Sequence, residues 1–85
     1  MALERGDTVW IPCEVTQRVF PDERNVRIDL PDGHWDGVVD VRQLREDVLH
    51  GRTAICATVV ETSTRELKAR LPGQTTRRQF IDIPV

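Results

Sequence analysis

The chain has 85 residues, of which 39% are hydrophobic and 31% charged, with a net charge of -2. These proportions exclude a disordered chain, and the length suits one domain, residues 1–85, with a single modest core. The longest apolar run, Ala54 to Ala57, is far too short to cross a bilayer, and the first residues lack the basic and apolar regions of a signal peptide, so a cytoplasmic location is expected.

The first element follows Gly6-Asp7-Thr8. Val9, Ile11, Cys13 and Val15 alternate with Trp10, Pro12, Glu14 and Thr16, the two-residue period of a half-buried strand, which puts Trp10 on the outer face. Pro12 has no ladder N–H, so this strand should be an edge or carry a bulge there. Val19 to Asn25, with Pro21 and Asp22 among charged residues, reads as a solvated hairpin connection. Val26, Ile28 and Leu30 then face one way and Arg27 and Asp29 the other, until Pro31-Asp32-Gly33 turns the chain.

His34 to Val41 returns as a third strand, with Trp35, Gly37, Val39 and Val41 facing inward and His34, Asp36, Val38 and Asp40 outward. The period then changes. Val41, Leu44 and Val48 recur at helical spacing, Asp40 and Gln43 have the spacing of a capping box, and Gly51 suits a helix end, which predicts a short helix over 41–50. Thr53 to Val60 is apolar or small on both faces and is expected to be a strand covered on both sides. After a turn at residues 61–64, Leu67, Ala69 and Leu71 alternate with Glu66, Lys68 and Arg70. Pro72 to Thr76 is expected as a loop, and Phe80 to Val85 as a closing strand. Leu30-Pro31 through Val41 lines up with Leu71-Pro72 through Ile83 if one residue is inserted, but short strands resemble one another under a two-letter pattern, so true duplication of a meander is the lesser reading.

Gly6-Asp7-x-Val9, and Asp32-Gly33-x-Trp35-x-Gly37-x-Val39 leading to Leu44, resemble the pattern of SH3-like small barrels, including KOW and Tudor-type modules. The resemblance covers the first half of the chain and implies a binding module, although a fold of this kind does not by itself fix a function. The absence of tyrosine and of a dense aromatic groove argues against binding of proline-rich peptides. The expected fold class is therefore all-β: a small six-stranded or SH3-like barrel, two three-stranded meanders joined by a short helix.

Candidate chemistry is sparse. Asp32, His34 and Asp36 are close in sequence, but calcium needs more oxygen ligands and zinc a third protein ligand that is not evident. Cys13, the thiol considered for pairing with a histidine, falls on the inward face, where a thiol is inert; Cys13 and Cys56 form no Cys-x-x-Cys pair. Ser63 sits among small polar turn residues, and the five glycines are scattered, without a phosphate loop. No enzyme activity, cofactor, metal or small-molecule substrate is implied.

Two binding readings remain. Residues 1–50 carry six arginines against eleven acidic residues, net -5, and residues 51–85 carry six basic residues against three acidic, net +3. Opposite charge in the two halves, with Trp10, Phe80 and Val38 expected to point outward, favours a non-enzymatic protein-interaction module. It would act as an adaptor or structural subunit of a cellular or viral assembly, with self-association or a protein partner. The alternative is nucleic-acid binding through the basic last third, where Arg65, Lys68, Arg70, Arg77 and Arg78 lie close to Phe80. The candidate contact residues are Trp10, Trp35, Phe80, Arg70, Arg77 and Arg78.

Overall fold

The computed structural model describes residues 3–31, 33–72 and 79–84, with backbone alone for 17–20. Six strands follow in chain order: β1 Thr8–Phe20, β2 Glu23–Leu30, β3 Gly33–Asp40, β4 Gly51–Thr62, β5 Glu66–Arg70 and β6 Phe80–Pro84. They form one antiparallel sheet in the order β3-β2-β1-β4-β5-β6, curled into a half-barrel. Each half is a three-stranded meander, and the first strands of the two meanders, β1 and β4, lie side by side in the middle.

Strand β1 divides its ladder between two neighbours. Thr8 to Val15 pairs with β4, and Glu14 to Phe20 pairs with β2, with register shifts between Val15 and Gln17 and between Arg18 and Phe20. The break in β1 thus follows Val15 and not Pro12. Pro12 is accommodated differently. Val59 N–H donates to the Asp7 carbonyl at 2.9 Å, which makes Asp7–Val59 a hydrogen-bonded pair, so every second residue from Thr8 onward turns its N–H away from β4. Pro12 is one of these, on a stretch where β2 has not begun to pair, and its missing N–H leaves no gap in the ladder.

The hairpin between β1 and β2 is tighter than the sequence suggests, since the strands run to Phe20 and resume at Glu23. Arg24, expected in a wet turn, is instead buried at 3% exposure on the inner face with Val26 and Ile28. Its guanidinium donates to the carbonyls of Pro21, Glu23 and Val48 and to Asp47 Oδ1 at 2.9 Å. A buried arginine needs this many acceptors, and here they come from the turn and from residues 47–48, which it ties together.

The helix over 41–50 does not form. The capping box is present, with Asp40 accepting from Arg42 N–H and Gln43 Oε1 accepting from Asp40 N–H, but it starts only the 3-10 turn Val41–Gln43. Leu44 is already extended, with φ -95° and ψ 143°, and bridges to Ile55, while Arg45 N–H donates to the Ala54 carbonyl at 2.8 Å. The competing partner is the edge of β4. Strand β5 covers β4 only from Thr58 onward, so the backbone before it has open hydrogen-bonding positions, and 44–45 fill them in place of a further helical turn.

The core is one layer inside the curl, made of Ile11, Cys13, Val15, Val26, Ile28, Val39, Leu44, Ile55, Ala57, Val59, Leu67, Ala69, Leu71 and Ile81 around Trp35. The inner face of β4 is sealed as expected; its other face, Ala54, Cys56, Thr58 and Val60, is only half-buried. Among the described residues no helix is long and apolar enough to cross a membrane.

Trp35 is the one aromatic in that core among the described residues, and Gly37 makes room for it. A Cβ at position 37 would lie within 3.0 Å of the ring atoms Cη2, Cζ2 and Cζ3. Gly37→Ala should therefore destabilise the domain by about 2–4 kcal/mol through overpacking. Urea unfolding followed by tryptophan fluorescence measures this, and a loss below about 0.5 kcal/mol, the scatter of neutral surface changes, would contradict the packing.

Candidate functional site

The groups singled out for chemistry are engaged or kept apart. His34 Nε2 lies 3.1 Å from Asp36 Oδ2, and the other Asp36 oxygen accepts from Arg27 Nε at 3.0 Å. That bond and the Asp36 charge push the Arg27 guanidinium above its ordinary pKa. Asp36 is thus committed to two neighbours on its own sheet; Asp32 lies outside the described residues. Among the described residues no group of three His, Cys, Asp or Glu side chains is placed to hold a metal ion. The Ser63 hydroxyl donates to the Glu66 carbonyl and accepts from the N–H groups of Arg65 and Glu66, so it serves the turn before β5.

Cys13 is buried, while His34 and His50 are exposed, so no thiol–imidazole pair exists between them. Burial pushes the Cys13 thiol from its ordinary 9.0 up to about 11, with the Arg52 charge opposing. A raised folded-state pKa means that the stabilisation is complete below about pH 9 and lost as pH rises through 11. With no tyrosine and a single lysine in the chain, little else titrates in this window. Stability should fall by up to about 2–3 kcal/mol between pH 9 and 11, and Cys13→Ala should lose most of that slope. A thiol reagent at pH 8 should label half-buried Cys56 alone until the chain unfolds; rapid labelling of Cys13 in the folded state would contradict its burial.

The outer face of the sheet is ordered by register. Asp36 of β3, Arg27 of β2, Glu14 of β1 and Arg52 of β4 stand in one row of alternating charge. Lys68 of β5 likewise stands between Glu61 of β4 and Asp82 of β6. Outside the strands, Arg42 is paired with Asp40 at 3.0 Å, whose hydrogen bonds hold that carboxyl below the usual carboxylate range. Both signs thus alternate within each half, while the sheet order keeps the two halves, β3-β2-β1 and β4-β5-β6, as adjoining sides of one sheet.

A different row crosses β1, β4, β5 and β6: Thr8, Thr58, Arg70 and Phe80. Trp10, opposite Cys56, lies in the neighbouring row on the same face. Trp10 is 42% exposed and Phe80 45%. The Arg45 guanidinium sits 6.0 Å from the centroid of the Trp10 ring, at the outer limit of a cation–π contact. Among the described residues neither Arg45 nor Arg70 forms an ion pair, and no acidic residue stands opposite Arg70 in the ladder.

Of the expected contact residues, this face joins Trp10, Arg70 and Phe80. Trp35, at 3% exposure, belongs to the core and not to this face. Arg77 and Arg78 lie outside the described residues, as does most of the Pro72 to Thr76 loop. Arg45 is the residue that sequence reasoning missed, because a helix over 41–50 places it in open solvent. Two cavities lie elsewhere among the described residues. One, about 200 Å³, is an apolar cleft where β1 and β2 have splayed apart, walled by Ile11, Leu30, Ile81 and Ile83 with Asp29 and Arg52 at its rim. The other, about 290 Å³, sets Glu61, Glu66 and Asp82 around Lys68.

Scans against protein-family models, curated proteins and solved structures each return no match.

Proposed function

We propose that the chain is a non-enzymatic protein-interaction module on an SH3-like barrel, an adaptor or structural subunit of a larger assembly in the cytoplasm. One observation carries the reading: Trp10 and Phe80 are held half-exposed on one sheet face, each beside an arginine without an ion pair. Aromatic and arginine side chains of this kind dominate the energetics of protein interfaces, and burying them is the gain that association offers. The free thiols Cys13 and Cys56 suit a reducing compartment.

Nucleic acid is the second reading, favoured by the same arginines and exposed aromatics, groups that also hold a phosphate and stack a base. The carboxylates of Glu14, Glu61 and Asp82 on the same face oppose a continuous polyanion.

Replacing Phe80 with a photoreactive phenylalanine analogue in cells of the source organism tests both. Protein adducts at position 80, absent when the analogue replaces outward Asp29 on β2, are the expected result. Nucleic-acid adducts would transfer the function to the second reading, and adducts at neither position would end the interaction reading.

A further inference from the structure

We infer that the face between Trp10 and Phe80 recognises a short acidic protein segment that carries apolar side chains; the inference rests on the interaction reading and names the partner's chemistry.

The first argument is charge. Across the outer face, Arg27 stands between Glu14 and Asp36, and Lys68 stands between Glu61 and Asp82. Arg70 breaks this rule: its ladder neighbours are Thr58 and Phe80. Arg45 breaks it too, its guanidinium directed to the Trp10 ring and not to a carboxylate. Among the described residues neither guanidinium forms an ion pair. A carboxylate from outside supplies the pairing anion, by the bidentate geometry that arginine favours.

The second argument is the pairing of each cation with an apolar surface. Arg45 sits over the Trp10 ring and Arg70 is the ladder neighbour of Phe80, so each end of the face sets an aromatic side chain and a cation side by side, for an apolar side chain and a carboxylate together. Across β1, β4, β5 and β6 the two ends are three strand spacings apart, roughly 15 Å. An extended chain rises about 3.3 Å per residue, so four or five residues connect the two ends. The fitting segment has acidic residues about that far apart, each with an apolar neighbour.

The third argument selects against other anions. Glu61, Asp82 and Glu14 border the face, and a polymer with a charge on every unit must cross them, whereas a peptide bears its carboxylates at chosen positions.

Selection of a random peptide library on phage against the full chain tests this. Sequences enriched against the wild-type protein should carry Asp or Glu at two positions four or five residues apart, each with an aromatic or aliphatic neighbour. An enriched peptide is then titrated, monitored by the Trp10 indole N–H resonance, beside a version with Asn and Gln for its acidic residues. The amide version should bind about tenfold more weakly, as expected for losing two exposed charge-assisted contacts. The Arg45→Gln, Arg70→Gln double variant should weaken the acidic peptide similarly while leaving the Trp35 indole resonance in place as the sign of an intact core. Enrichment without acidic residues, equal binding of the amide version, or tighter binding of oligothymidylate would overturn the inference. Protein adducts at position 80 together with a failed acidic selection would reject this partner chemistry alone, whereas absence of adducts would reject the interaction reading itself.

Discussion

The close approach of Trp35 to Gly37 is the constraint on which the rest of the sheet depends. A chain of 85 residues encloses only one thin apolar layer, and a single indole is its largest member. Two residues apart on β3, Trp35 and Gly37 face the same side, so the ring lies over the glycine and rises little into the layer. Register then sets Ile28 opposite Trp35 and Val26 opposite Gly37, and the inner face of β2 follows. The indole lies against its own strand, in one apolar cluster with aliphatic side chains of the other strands.

The same economy shapes the connection between the meanders. A helix over 41–50 would have needed its own apolar contact with this thin core. What forms is a 3-10 turn, a bridge from Leu44 to Ile55, and a loop pinned by Arg24. The outcome places Arg45 against the outer side of the sheet, so the feature that closes the core also furnishes one of the two arginines of the candidate face.

Strand patterns were legible in the sequence because one face is buried and the other wet: Val26, Ile28 and Leu67, Ala69 alternate with charged residues without exception. The two-meander order was legible from the turn residues around Pro31 and Gly33. The short helix was misread since Val41, Leu44 and Val48 satisfy a helical period while the backbone demand of the β4 edge, which decides the matter, leaves no mark in local spacing. Arg24 was misread because charge in a turn usually means water, and its acceptors at 47 and 48 are remote in sequence. The opposite charges of the two halves were legible in the sequence, and the sheet order keeps those halves on adjoining sides that meet where β1 pairs with β4. The exposure of Trp10 and Phe80 was legible from alternation; the arginine beside Trp10 was not.

The two tryptophans are divided by the sheet: Trp35 is buried in the core, and Trp10 stands half-exposed on the outer face proposed for a partner. The direct test is the effect of a soluble gadolinium chelate on the two indole N–H resonances of the folded protein. Strong relaxation of the Trp10 signal with the Trp35 signal nearly unaffected is the predicted result. Equal protection of both, or equal exposure, would contradict the division between the buried core and the candidate outer face.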